Sequence, residues 1–191
     1  MKKLLVVVMA LAAMSLTAFA QTADELKAER QAIKSELNSK DGKNLDKAWA
    51  KLAASSVPST CGINSIDGLV STNASILTTL VAVDNLLSEY KVSITESKDG
   101  EVEIDKFTAK TEDYVAQLPL LVAAGAEAAK AAQQLKDVQN DMKSLNPMTA
   151  AGSIKAGNWA VNATDVNVQM IERDTKMLNN LINSCKAAKN L

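Results

Sequence analysis

The sequence predicts an all-α protein, an elongated antiparallel helical bundle of about four long helices. Three observations carry this. Apolar residues recur three and four positions apart through four segments, which is the period of a helix that hides one face. Turn-rich stretches such as "SSVPSTCG" and "NPMTAAGSIKAGN" separate those segments. Strand-like alternation is confined to one place, Lys91 to Ile104, which reads as a short β-hairpin or an extended strap between two helices.

Residues 1–20 stand apart from the bundle. Lys2 and Lys3 precede an apolar run from Leu4 to Leu16, and Ala18-Phe-Ala20 follows, the three-part form of a secretory signal peptide with cleavage before Gln21. The run falls short of the ~20 residues that span a bilayer. It resembles the signal peptides of bacterial envelope proteins, a likeness that indicates an export route and no family. The expected mature chain, 21–191, is one helical-bundle domain, periplasmic or secreted.

The first predicted helix runs from Thr22 to about Ala54. Thr22 and Glu25 have capping-box spacing, Leu26, Ile33 and Leu37 start an apolar stripe, and Asp41-Gly42 breaks or kinks it before Leu45, Ala48, Trp49 and Leu52 resume. The second has an unbroken seam of Ile66, Leu69, Asn73, Ile76, Leu80, Val83, Leu87 and Tyr90. Asn73 is its one polar member and is a candidate for fixing register or making a contact. Asp84 adjoins the same seam and is the one candidate for a partly buried acid.

The third runs from Asp105 to about Leu145, with a seam through Phe107, Thr111, Tyr114, Leu118, Leu121, Gly125, Ala128, Ala132, Leu135, Gln139 and Met142. Pro119 is expected to kink it without ending it. Around that proline "LPLLVAAGA" is apolar on every face, so Leu118, Leu120, Leu121 and Val122 are either enclosed by other helices, the reading preferred here, or form an exposed apolar contact surface. The last helix, about Trp159 to Ala188, carries Val161, Thr164, Val168, Ile171, Thr175, Leu178, Ile182 and Cys185 on its seam. No uncharged run in the mature chain reads as a transmembrane span, since the stretch between Asp67 and Asp84 is short and rich in Ser, Thr and Asn.

Composition narrows the function. There is no histidine, which removes the commonest general base and metal ligand together. Losing Lys2 and Lys3 leaves 19 basic against 22 acidic residues, so no surface attracts nucleic acid. Aromatics make up 3% of the chain, too few to stack sugars or bases. Known catalytic motifs are absent, and no cofactor, metal or catalytic site is expected. The carboxylate clusters Glu101-Glu103-Asp105, Glu112-Asp113 and Glu172-Asp174 read as solvated surface. Gly100 invites comparison with a calcium loop, but the register puts Thr95 first and Lys106 last, where the ion needs carboxylates.

Cys61 and Cys185, the only cysteines, are expected to form a disulfide because export leads to an oxidising compartment. That bond conflicts with simple up-and-down helices. A helix from Gly62 to Tyr90 would separate the thiols by about 43 Å at ~1.5 Å per residue, whereas a bridge needs Cα atoms within ~7 Å. A strap over residues 91–104 would reunite them, and the sequence leaves hairpin and strap both open. The leading functional reading is an exported, non-catalytic bundle that binds a protein, peptide or apolar ligand in the cell envelope, or associates with itself. The alternative is a membrane-acting bundle whose hairpin or apolar helix segment inserts into lipid.

Overall fold

The computed structural model describes residues 21–148 and 150–189, so the expected signal peptide lies outside the described residues. These residues form six α-helices: α1 (Ala23–Asn38), α2 (Lys40–Ala53), α3 (Asn64–Leu86), α4 (Ser88–Glu96), α5 (Thr111–Ser144) and α6 (Ala151–Lys189), with a 3₁₀ turn at Ile104–Lys106. The first and second predicted helices are each divided. No strand occurs among the described residues.

The break in the first helix falls at Ser39, two residues before the expected Asp41-Gly42. Ser39 leaves the helical conformation (φ −65°, ψ 164°) and caps α2, its Oγ accepting from Gly42 N–H at 2.9 Å. Gly42 matters for another reason. A Cβ there would overlap the Glu36 carbonyl oxygen, so only glycine lets the two helix ends approach this closely. The capping box at the start of α1 forms as expected, with Thr22 Oγ1 accepting from Glu25 N–H and the Glu25 carboxylate accepting from Thr22 N–H at 2.7 Å.

The interruption between α3 and α4 is slight, because Leu87 keeps near-helical angles and the bonds from Leu87 N–H to Val83 C=O and from Lys91 N–H to Leu87 C=O cross it. The seam of the second predicted helix is buried at all eight positions and extends to Ile94. Each fully buried large apolar side chain contributes ~1.5–3 kcal/mol. Helix α3 is long and apolar enough to cross a membrane by length and composition, despite its Ser, Thr and Asn content. Here it directs that seam into the bundle.

Side-chain bonds fix the directions of the helices. Asn73 meets Thr164 and Asn167, and Tyr90 meets Asn180, so α3–α4 and α6 run parallel. Ser65 bonds Asp141, so α5 runs against α3. Arg30 bonds Ser184 and Trp159 bonds Ser55, so α1–α2 run against α6. The chain therefore simply alternates direction. Helix α6 is the axis of the molecule, packed by α1, α2, α3 and α5, and between Val166 and Cys185 only Gln169 is exposed.

Residues 91–104 form neither hairpin nor strap. Lys91–Glu96 complete α4, and the following loop is bound along α1. Arg30 Nε donates to Gly100 C=O at 2.5 Å, Gln31 Nε2 to Asp99 C=O at 3.2 Å, and Lys34 Nζ to Ser97 C=O. Lys27 pairs with Glu101 at 3.0 Å. Gly100, at φ +76°, turns the chain where a side chain would press on Lys27 and Gln31. Capture of its carbonyls by α1 supplies what strand pairing would have given this segment.

No disulfide joins Cys61 and Cys185. Cys61 lies beside Ala156 and Trp159 near the start of α6, whereas Cys185 is 26 residues further along that helix than Trp159, roughly 39 Å at ~1.5 Å per residue. The parallel course of α3 and α6 keeps them apart.

Candidate functional site

Three features could carry function: a buried group of charges near Asp84, a cleft at the start of α6, and the outer face of α5.

Asp84 faces the gap between α2 and α6. Its Oδ2 accepts from Trp49 Nε1 at 2.8 Å, and its Oδ1 lies 4.0 Å from Arg173 Nη2. Arg173 Nη1 and Lys91 Nζ both donate to Asp46 Oδ1 at 2.7 Å. Burial disfavours ionisation of Asp46, but the bonds from Lys91 and Arg173 outweigh it and hold its carboxyl below the usual range. Beside them Asp174 is almost fully buried, its Oδ1 3.8 Å from Arg173 Nε and its Oδ2 without a hydrogen bond. Burial pushes the Asp174 carboxyl up to about 7 against the opposing pull of Arg173. The expected solvated cluster Glu172-Asp174 is thus half wrong. Glu172 pairs with Lys176 at the surface, while Asp174 turns into the core.

This group balances charge inside the bundle. Arg173 is enclosed by three carboxylates from α2, α3 and its own helix, and the separations suit mutual neutralisation more than substrate work. Among the described residues, no three His, Cys, Asp or Glu side chains are grouped so as to hold a metal ion. Asn73 belongs to a second buried network. Its Nδ2 donates to Leu69 C=O and Thr164 Oγ1 at 2.9 Å each, and its Oδ1 accepts from Asn167 Nδ2 at 3.0 Å. These bonds tie α3 to α6 inside the bundle.

The cleft, about 750 Å³, lies between the loop after α2 and the first turns of α6, with Val57, Pro58, Cys61, Lys155 and Trp159 in its wall. Sequence reasoning did not single it out. The loop's composition marked a turn, and its contact with α6, where Trp159 Nε1 donates to Ser55 Oγ at 2.9 Å, joins residues 104 positions apart in sequence.

The outer face of α5 is where "LPLLVAAGA" lies. Leu121 is buried and Leu118 partly so, but Leu120 is 49% exposed and Val122 44% exposed. Enclosure of the whole segment, the preferred expectation, is therefore overturned. Helix α5 packs chiefly on α3 and α6, which cover its opposite side and leave Val115, Pro119, Leu120, Val122, Ala123 and Ala126 facing solvent. No charged residue interrupts this strip between Asp113 and Glu127. Pro119 does not end the helix, and it has no N–H to offer the Val115 carbonyl, on the same outward side.

The fold and this face define an all-α bundle built around one central helix, with a peripheral helix that is apolar on both sides over residues 114–126. Comparison with protein-family models, curated proteins and solved structures gives no match.

Proposed function

We propose that this chain is an exported, non-catalytic helical bundle that binds a protein, peptide or apolar ligand in the bacterial cell envelope through the outer face of α5. The observation that carries the reading is the uncharged strip from Val115 to Ala126 on a helix whose other side is already packed. Side chains such as Leu120 and Val122 gain by leaving water, at ~25 cal/mol per Å² removed, and contiguous apolar surface of this kind marks contact sites. The N-terminal sequence supports export. The absence of histidine and the internal pairing of the buried charges support a role without catalysis.

The test is site-specific photocross-linking in cells that export the chain, with benzoylphenylalanine in place of Leu120. Protein adducts at Leu120, absent when the probe replaces exposed Gln133 further along α5, are the expected result. Adducts with lipid alone would assign the face to insertion in a membrane. Equal labelling at both positions would remove the case for a specific surface.

A further inference from the structure

We infer that the occupant of the outer face of α5 is a second copy of this chain, docked antiparallel through the same helix; the inference rests on the reading of that face as a binding surface. The face is self-complementary about its midpoint. Glu112 and Lys130 lie about five turns apart at ~3.6 residues per turn, so both project along the line that Pro119, Ala123 and Ala126 mark toward solvent. Both are exposed, and the Lys130 side chain is 66% accessible.

Two α5 helices laid antiparallel with their two-fold axis at Leu121 set Pro119 against Ala123, Leu120 against Val122 and Ala116 against Ala126. The same register sets Glu112 of each copy against Lys130 of the other. Parallel pairing would instead bring like charges together at both ends. The interface is isologous, as two-fold dimers require. The small side chains at 116, 123 and 126 allow the helices to approach at the close end of ~8–10 Å.

Size sets the strength. One helix face offers less than the ~800 Å² per partner of a stable interface, so the dimer is weak and depends on concentration. Lys130 also pairs with Glu127 of its own helix at 2.7 Å and Glu112 has an interaction within its own chain, so part of each charge is already engaged in the monomer. The ends therefore select register and direction more than they add affinity.

Sedimentation equilibrium of the processed chain over a range of concentrations tests this directly. A monomer–dimer equilibrium is expected, abolished by Leu120→Lys. Glu112→Lys and Lys130→Glu should each weaken it about tenfold, because each single reversal turns two attractive pairs into two repulsive ones. Combining them should restore the parent constant, a result that general loss of helix stability cannot give. Helical circular dichroism checks that each variant folds; Leu120→Lys, at an exposed position, serves if a charge reversal does not. A strict monomer at every concentration overturns the inference, as does a dimer indifferent to these changes. Cross-links from position 120 to a different protein would in that case leave the binding face standing while refuting self-association.

Discussion

At Asp174 a carboxyl group with 1% exposure lies 3.8 Å from the Arg173 guanidinium without making a hydrogen bond to it, while Arg173 is bound to Asp46. Asp84 and Asp46 add negative charge nearby, and Lys91 and Arg173 partly offset it. The outcome is a carboxyl titrating near 7 in the folded chain and near 3.9 in the unfolded one. Between those values the native state holds a proton that the unfolded state has released. This contribution to stability is therefore complete below about pH 4, declines as pH rises to about 7 and stays constant above. Moving a carboxyl across that interval corresponds to ~4 kcal/mol. Asp174→Asn removes the titration, so the stability of the variant relative to the parent should rise by roughly 2–4 kcal/mol between pH 4.5 and pH 8. Urea unfolding at a series of pH values measures this, and a difference independent of pH would show that Asp174 ionises freely. Asp46 acts in the opposite sense: its lowered value makes a contribution that is present at neutral pH and lost in acid.

Helices were legible wherever one partner face decided burial. The seam along α3 and α4 is the clearest case, since the spacing predicts all eight of its buried positions. On α5 the expected seam slips by one residue, burying Ala131 and Val138 where Ala132 and Gln139 were expected. The slip is toward earlier residues, opposite to the drift of a straight 3.6-residue helix against a 3.5-residue repeat, so the buried face turns about the axis along the length of α5. On α6 the predicted stripe is buried from Thr164 to Cys185, but a second stripe was overlooked: Ala156, Ala160, Ala163, Asn167, Met170, Asp174, Met177, Leu181 and Ser184, spaced four and three without a slip. Two such stripes mean a helix with neighbours on most sides, and this signal would have drawn Asp174 inward. The break at Ser39 was less legible, because the glycine that appeared to cause it instead permits the close approach that follows. Gly42→Ala should cost ~1–3 kcal/mol, since the new methyl meets a backbone carbonyl that cannot turn aside. Gly68→Ala, on an exposed face of α3 with open space around it, should gain ~0.5–1 kcal/mol from helix propensity alone. Chemical denaturation of the pair gives opposite signs if local space governs both sites, and like signs would contradict that.

For the whole molecule, the direction of α3 relative to α6 was the open question, and it turns on a connection of ordinary length. Fourteen residues could have spanned the bundle as a strap or turned back on themselves, and local pattern favoured a hairpin because Val92, Ile94, Val102 and Ile104 alternate with polar residues. The decisive contacts lie elsewhere in the chain, on Lys27, Arg30, Gln31 and Lys34, which bind carbonyls and a carboxylate some seventy residues away. No local periodicity reports such contacts. Their effect is to return the chain at Gly100, so that α5 runs back along α3 and α6 again lies parallel to it. Cys61 and Cys185 are then at opposite ends, and oxidation cannot join them without dismantling the Asn73 and Tyr90 networks that hold the parallel pair. Alkylation of the unreduced chain in denaturant should therefore add two labels to the monomer. In the folded protein Cys61, partly exposed beside the cleft, should react first, and Cys185, 5% exposed in the core, only as fast as the end of α6 opens. A monomer that takes up no label before reduction would place the two sulfurs together, and no bundle in which α3 and α6 run parallel along their length could accommodate that.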